Sequence, residues 1–222
     1  MKGSSKFSFK KAHAMQNRLS KKLILEDTLP KTITYVAGVD VAYSMGTSIG
    51  AVVVLELASL LQVESQLAYI ETHFPYIPTF LAFREVPPAY LAIKKLCIDP
   101  DVFLVDGQGL AHPCGLGFAS HLGLVLDKPT VGVAKSRLWG KVEHYGKEGW
   151  APLMAKREVV GAQVITKSGT KPLYVSVGHK LSLDRAIKIV KKCTGKYRIP
   201  EPIRRAHILA GQENRRLQST FL

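Results

Sequence analysis

A chain of 222 residues, 46% hydrophobic and 22% charged, has a globular composition and enough length to bury a sizeable core in one large domain or two small ones. No run of about 18 uninterrupted apolar residues offers a membrane span. The basic start MKGSSKFSFKKAHAMQNRLSKK lacks the apolar core of a signal peptide. Cys97, Cys114 and Cys193 are far apart and form no CxxC, which argues against a disulfide framework and a structural zinc site and points to a reducing cytoplasm.

The net charge is +14, and its distribution says more than its size. Residues 1–31 hold 8 Lys/Arg against 2 Asp/Glu, residues 180–222 hold 11 against 3, and the stretch between holds 12 of each. Two basic ends around a neutral middle attract a polyanion, of which nucleic acid is the commonest, and favour a soluble monomer. A plain solvated basic surface is the other reading of the same charge.

In chain order, Lys10–Asp27 has helical spacing, with Ala14, Leu19, Leu23 and Ile24 apolar and Pro30 as terminator. Thr32–Tyr43, Ile49–Leu57 and Leu60–Phe74 read as three strands joined by short connections, hence an antiparallel meander. Pro75 and Pro78 mark a rigid turn, and Pro87 and Pro88 are expected to open a helix running to Leu96. Val102–Asp106 is a strand, Gly115–Leu126 a helix and Pro129–Ala134 a strand, a βαβ rhythm that implies a mixed sheet with helices on it. Gly140–Thr170 is less regular and is expected to supply extra strands and loops. PLYVSVGH reads as a strand, LSLDRAIKIVKKC as a helix capped by Ser182, and IPEPIRRAHILAGQENRR as a last helix.

Three acids stand in apolar or unusual surroundings: Asp40 in GVDVAY, Glu85 in FREVPP and Asp106 in VDGQG. Strands one and four of such a sheet can lie side by side, which would bring Asp40 and Asp106 together. Neighbouring carboxylates repel unless one takes a proton or a cation sits between them, and oxygen ligands of this kind suit Mg²⁺ or Mn²⁺. The glycines after Asp106 would then leave room for a substrate backbone. Two of the acids also have an ordinary reading: a turn aspartate for Asp106, a first-turn helix glutamate for Glu85.

Six segments carry a resemblance: VAGVDVAY, PYIPTFLAFRE, LVDGQGLAHP, GVAKSRL, VSVGH and IPEPIRRAH, spread from Val36 to His207. In content, order and spacing the chain resembles the endonuclease V family, nucleases for deaminated purines with an RNase H-like fold. The resemblance implies an α/β fold, with an antiparallel meander plus parallel strands in one mixed sheet flanked by helices. It implies one domain over 1–222 with the basic termini packed on it. It makes Asp40, Glu85 and Asp106 the metal-binding acids for Mg²⁺, with Mn²⁺ able to substitute, and His207 a fourth active-site position. Lys135 would lie near the scissile phosphate, and Tyr76 with Pro78 would be the wedge that enters the duplex. Arg84 and the loop of Gly107, Gln108, Gly109 and His112 would contact the substrate beside the lesion. The expected reaction is hydrolysis of the second phosphodiester 3′ to hypoxanthine in DNA, or in inosine-containing RNA, leaving a 3′-hydroxyl and a 5′-phosphate and initiating repair.

Two residues depart from the family's pattern: Cys114 stands where many members have arginine, and Val177 where they have proline. His179 is a further candidate phosphate contact, while Trp139 and Trp150 are expected to pack rather than stack on bases. Recognition would use backbone amides of the glycine-rich loop donating to the C6 oxygen that deamination creates. A ribonuclease H or a junction resolvase would use the same acids on other substrates. An ATPase on a related sheet would need a phosphate-binding glycine loop, which the sequence lacks.

Overall fold

The computed structural model describes residues 8–143 and 149–220. Its elements are α1 (Phe9–Ser20), β1 (Tyr35–Ser44), β2 (Thr47–Glu56), β3 (Gln62–Glu71), α2 (Ala82–Ile93), β4 (Val102–Asp106), α3 (Phe118–Leu126), β5 (Thr130–Ala134), β6 (Lys141–Val142), β7 (Trp150–Ala155), β8 (Glu158–Val164), β9 (Leu173–His179), α4 (Leu183–Lys192) and α5 (Glu201–Thr220). The nine strands form one sheet in the order β3-β2-β1-β4-β5-β9-β8-β7-β6. The meander is antiparallel, β1, β4 and β5 run parallel, and β9 returns antiparallel to β5. This is the mixed sheet flanked by helices that the resemblance implied. The irregular stretch after Gly140 contributes the short strands β6, β7 and β8; its residues 144–148, like the basic residues 1–7, lie outside the described residues.

Strand alternation sorts the core into two layers. Val36, Val102 and Leu104 pack with Ile187, Val190 and Ile203 of α4 and α5 on one face. Ala37, Val39, Phe103 and Val105 pack with Val86, Ala89 and Leu122 of α2 and α3 on the other. Two glycines set how close the helices come. A Cβ on Gly38 would lie 2.0 Å from the Pro202 carbonyl carbon, and one on Gly50 would lie 2.1 Å from the Pro88 carbonyl oxygen. The backbones of α5 and α2 therefore rest directly on β1 and β2, from opposite faces.

Several boundaries differ from the sequence reading, and for α1 and α2 the reason is tertiary. Helix α1 stops at Ser20 rather than Asp27. Beyond it the chain pairs with the end of β9: the Lys180 amide donates to the Ile24 carbonyl at 2.6 Å, and the Thr28 amide donates to the Lys180 carbonyl at 3.2 Å. Asp27 then accepts from the Ser182 amide and hydroxyl at 2.7 and 2.9 Å. Helix α2 does not start at its prolines but contains them. Its first turn is held instead by burial of Phe80, Ala82 and Val86, and by amides of Phe83 and Arg84 donating three residues back. This packing outweighs the helix bonds that Pro87 and Pro88 cannot donate. Helix α5 runs to Thr220, about 30 Å at 1.5 Å per residue, past the stretch whose spacing announced it. Among the described residues no helix is long and apolar enough to cross a membrane.

Candidate active site

The register Val39↔Val105 in the parallel pair of β1 and β4 puts Asp40, in the middle of β1, beside Asp106 at the end of β4. Both share the face of Val36 and Leu104, on which α5 lies. Gly38 carries α5 at Pro202 and Ile203. Two residues further along β1, about 7 Å, is Asp40; four residues further along α5, about 6 Å, is His207. The matched rises bring the His207 Nδ1 to 2.7 Å from Asp40 Oδ2. Ligand atoms of Asp40, Asp106 and His207 all lie within 4.8 Å of one another.

The carboxylates are short of positive charge. Asp40 accepts from the Val41 amide at 2.8 Å, yet burial and the charge of Asp106 still raise its pKa, against the lowering by His207. Glu85, on the first turn of α2, is pushed up to about 8 by burial, then by Asp40 and Asp106, with Arg84 pulling the other way. Asp106 has Lys135, just past the end of β5, whose Nζ donates to Oδ2 at 2.6 Å. Carboxylate oxygens with one imidazole nitrogen form a hard donor set, and their unrelieved negative charge fits a divalent cation such as Mg²⁺ or Mn²⁺.

A titration follows from these shifts. Glu85 binds its proton more tightly in the folded chain than in the unfolded one, so its contribution to stability is present below its ordinary value of 4.5 and is lost as pH rises through about 8. The buried rings of His112 and His121, held down to about 4, act oppositely, but only below about pH 6.5. In chelator the unfolding midpoint is therefore expected to fall by about 4–8 °C between pH 6.5 and 8.5, from about 2 kcal/mol. Glu85→Gln should flatten that slope in a thermal melt series, and so should Mg²⁺.

The glycine-rich loop serves a different purpose from the one expected. Gly107 donates its amide to the Val133 carbonyl at 3.3 Å, and Gly109 donates to the Ser176 hydroxyl at 2.8 Å. These two amides point into the protein. A Cβ on Gly109 would lie 2.2 Å from the Val177 carbonyl oxygen, and one on Gly132 would lie 2.4 Å from the Gly109 nitrogen. The glycines thus let the loop lie flat on β5 and β9, rather than making room for substrate. Gln108 donates from Nε2 to the Ser136 carbonyl at 3.0 Å, holding the chain directly after Lys135.

The turn carrying Tyr76 is anchored from behind. Phe80 is buried and packs against His13 of α1, with ring centroids 4.7 Å apart. Gln16, fully buried on α1, donates to the Thr79 carbonyl at 2.7 Å, where the backbone is left-handed at φ +69. His112 is buried against the same turn; its Nδ1 accepts from the Cys114 amide at 3.2 Å, and the Thr79 backbone hydrogen-bonds the ring. His112 therefore ties the glycine loop to the turn from inside. Tyr76 stays 67% exposed at the tip, next to exposed Pro78. Removing the buried donor with Gln16→Leu is expected to cost about 1 kcal/mol, a drop of about 2–4 °C in unfolding temperature, with earlier proteolytic nicking at residues 75–79.

Arg84 is half-buried, its guanidinium 3.9 Å from the centroid of the Tyr43 ring. The sequence reading missed Tyr43 and Gln16. Tyr43 could have been found three residues after Asp40, at the end of GVDVAY; Gln16, a polar side chain on a basic helix, gives no signal. His179 is not a phosphate contact: it is buried, accepts from the Ile24 amide at 3.2 Å through Nδ1, and faces Asp127 with Nε2. Cys114 sits 3.5 Å from His13 Nδ1, its thiol pushed up by burial. Trp150 packs against the core. Four cations of the basic ends, Lys31, Arg185, Lys188 and Lys192, lie away from the acids. They line one cavity beside Ile33, beyond the start of β1, whereas Asp40 lies in the middle of that strand.

Residues 17–208 match the family model described as Endonuclease V. A relative named Endonuclease V from Rippkaea orientalis is 47% identical over 210 residues, covering 93% of this chain and 91% of its own. One from Thermofilum pendens is 46% identical, covering 92% and 88%. The crystal structure of the Endonuclease V from Streptomyces avermitilis superposes with a TM-score of 0.89 at 39% identity over 98% of both chains. That of Ciona intestinalis Endonuclease V, in complex with a 23mer DNA containing an inosine followed by a ribo-adenosine, superposes with a TM-score of 0.84 at 32% identity, covering 95% of this chain and all of its own.

Proposed function

The chain belongs to the endonuclease V family, and from that membership we propose that it is a divalent-cation-dependent nuclease that nicks DNA at hypoxanthine and so initiates repair of deaminated adenine. The cut falls at the second phosphodiester 3′ to the lesion and leaves a 3′-hydroxyl and a 5′-phosphate. The observation that carries this reading is the cluster of Asp40, Asp106 and His207, with the protonatable Glu85 behind it.

In this reading Asp40 and Asp106 hold the cation, with Glu85 as the third acid. The cation, when bound, supplies Lewis acidity to the phosphate and to the attacking water. His207, 62% exposed at its side chain and fixed by Asp40, orients or protonates at the reacting phosphate. Lys135 offsets charge on the phosphoryl oxygens from a position that Gln108 secures through Ser136. Arg84, Gln108 and the exposed Tyr76 face the substrate; Gly107, Gly109 and His112 support that face from within. Hypoxanthine pairs poorly with thymine, so it leaves the stack at lower cost than adenine, and the Tyr76–Pro78 turn fills the gap. The Ciona intestinalis relative bound to inosine-containing DNA supports this choice of substrate.

The test is one gel with labelled duplexes holding a single inosine or a matched adenine, and the same pair as RNA strands, each with Mg²⁺, Mn²⁺ or chelator. A cation-dependent nick one nucleotide beyond inosine, absent from the adenine strand, is the expected result. Intact inosine strands, DNA and RNA alike, after incubation with folded protein would refute the reading.

A further inference from the structure

The groove beyond the start of β1 stands apart from the acids. Tyr35 to Asp40 alone spans about 17 Å at 3.3 Å per residue. The groove has a volume of about 280 Å³, and no acidic side chain lines it. Its rim carries Lys31, Arg185, Lys188 and Lys192 over a floor that includes Ile33 and Leu57. Arg185 spends one guanidinium N–H on the Pro30 carbonyl at 3.2 Å. Helix α4 buries Ala186, Ile187 and Val190 and turns Lys188 and Lys192 outward.

The rim calls for negative charge and the floor for an apolar group. A nucleic-acid backbone meets the first demand only. Bases are held on single strands chiefly by aromatic stacking, and no aromatic side chain lines this groove. A peptide with carboxylates on both sides of one aliphatic residue meets both demands. We propose that this groove binds an acidic peptide segment, anchored by one apolar side chain, of a partner protein. It would let a second protein stand on the nuclease while the acids of β1, β4 and α2 stay open to the substrate.

The test uses the full chain and a fluorescein-labelled synthetic peptide of aspartates and glycines around one central leucine, read by fluorescence anisotropy. Saturable binding is expected with a dissociation constant of about tens of micromolar. Replacing the leucine with serine should weaken it about tenfold, and so should the double substitution Lys188→Glu with Lys192→Glu in the protein. Nicking of the inosine duplex by that variant should be unchanged, which separates this inference from the nuclease reading. Equal binding of the leucine and serine peptides would reduce the groove to unspecific charge and overturn the proposal. Displacement of the peptide by a labelled undamaged single strand, lost in the same variant, would reassign the groove to nucleic acid. Absence of saturation would also overturn it.

Discussion

Asp106→Asn is expected to lower the rate of nicking at inosine by about a thousandfold, the upper end of what one charged group in a preorganised site is worth, while leaving the fold at least as stable. The activity loss follows from the proposed role of the carboxylate beside Asp40 and His207. The stability follows from charges already in place. Asp106 raises the pKa of both Asp40 and Glu85, so a neutral amide of the same shape relieves repulsion that the ion-free protein carries. Lys135 loses its 2.6 Å partner, but it is 43% exposed and can turn to water. Single-turnover nicking and a thermal melt in chelator at pH 8 read the two effects together. A variant that loses activity and melts well below the parent would mean that Asp106 is a structural acid, and the active-site assignment would fall with it.

Gly38→Ala is expected to be the most damaging single methyl in the protein. Its Cβ would lie 2.0 Å from both the carbonyl carbon and oxygen of Pro202 and 2.6 Å from the Ile203 amide nitrogen. All are backbone atoms, which cannot swing aside as a side chain would. Helix α5 must lift from β1, opening the contacts of Ile203 and Ala206 with the core. Overpacking of this kind costs about 3 kcal/mol, or about 6–12 °C in unfolding temperature for a chain of this length. The same displacement pulls His207 from Asp40, so nicking should fall even at temperatures where the variant stays folded. A melt within a degree or two of the parent would show that α5 does not depend on this contact.

Much of this arrangement was legible because it rests on short-range rules. Alternation in TITYVAGVDVAY and the βαβ rhythm around Val102–Asp106 were enough to pair β1 with β4 and set Asp40 beside Asp106. The Ser182 cap of α4 was read from its neighbours and is present, accepting from the Arg185 amide at 3.3 Å. What was not legible depends on partners far along the chain. Leu23 and Ile24 keep helical spacing, but the Ile24 carbonyl finds its donor at Lys180. Pro87 and Pro88 look like a helix start until Phe80 and Val86 are seen to be buried before them. The glycines after Asp106 looked like space for substrate, and their neighbours Val177 and Gly132 lie on other strands. The role of Gln16 depends on Thr79, 63 residues away.

The hydrogen bond between Asp40 and His207 joins residues 167 apart in sequence, and α5 is the last element among the described residues. During synthesis the acids of β1, α2 and β4 leave the ribosome well before the histidine does. A growing polypeptide therefore carries three acids before His207, and before the Pro202–Ile203 turn of α5 can reach Gly38. Under the proposed chemistry such a chain is a harmless intermediate amid the cell's nucleic acids. Under that chemistry, competence to cut arrives only when α5 docks.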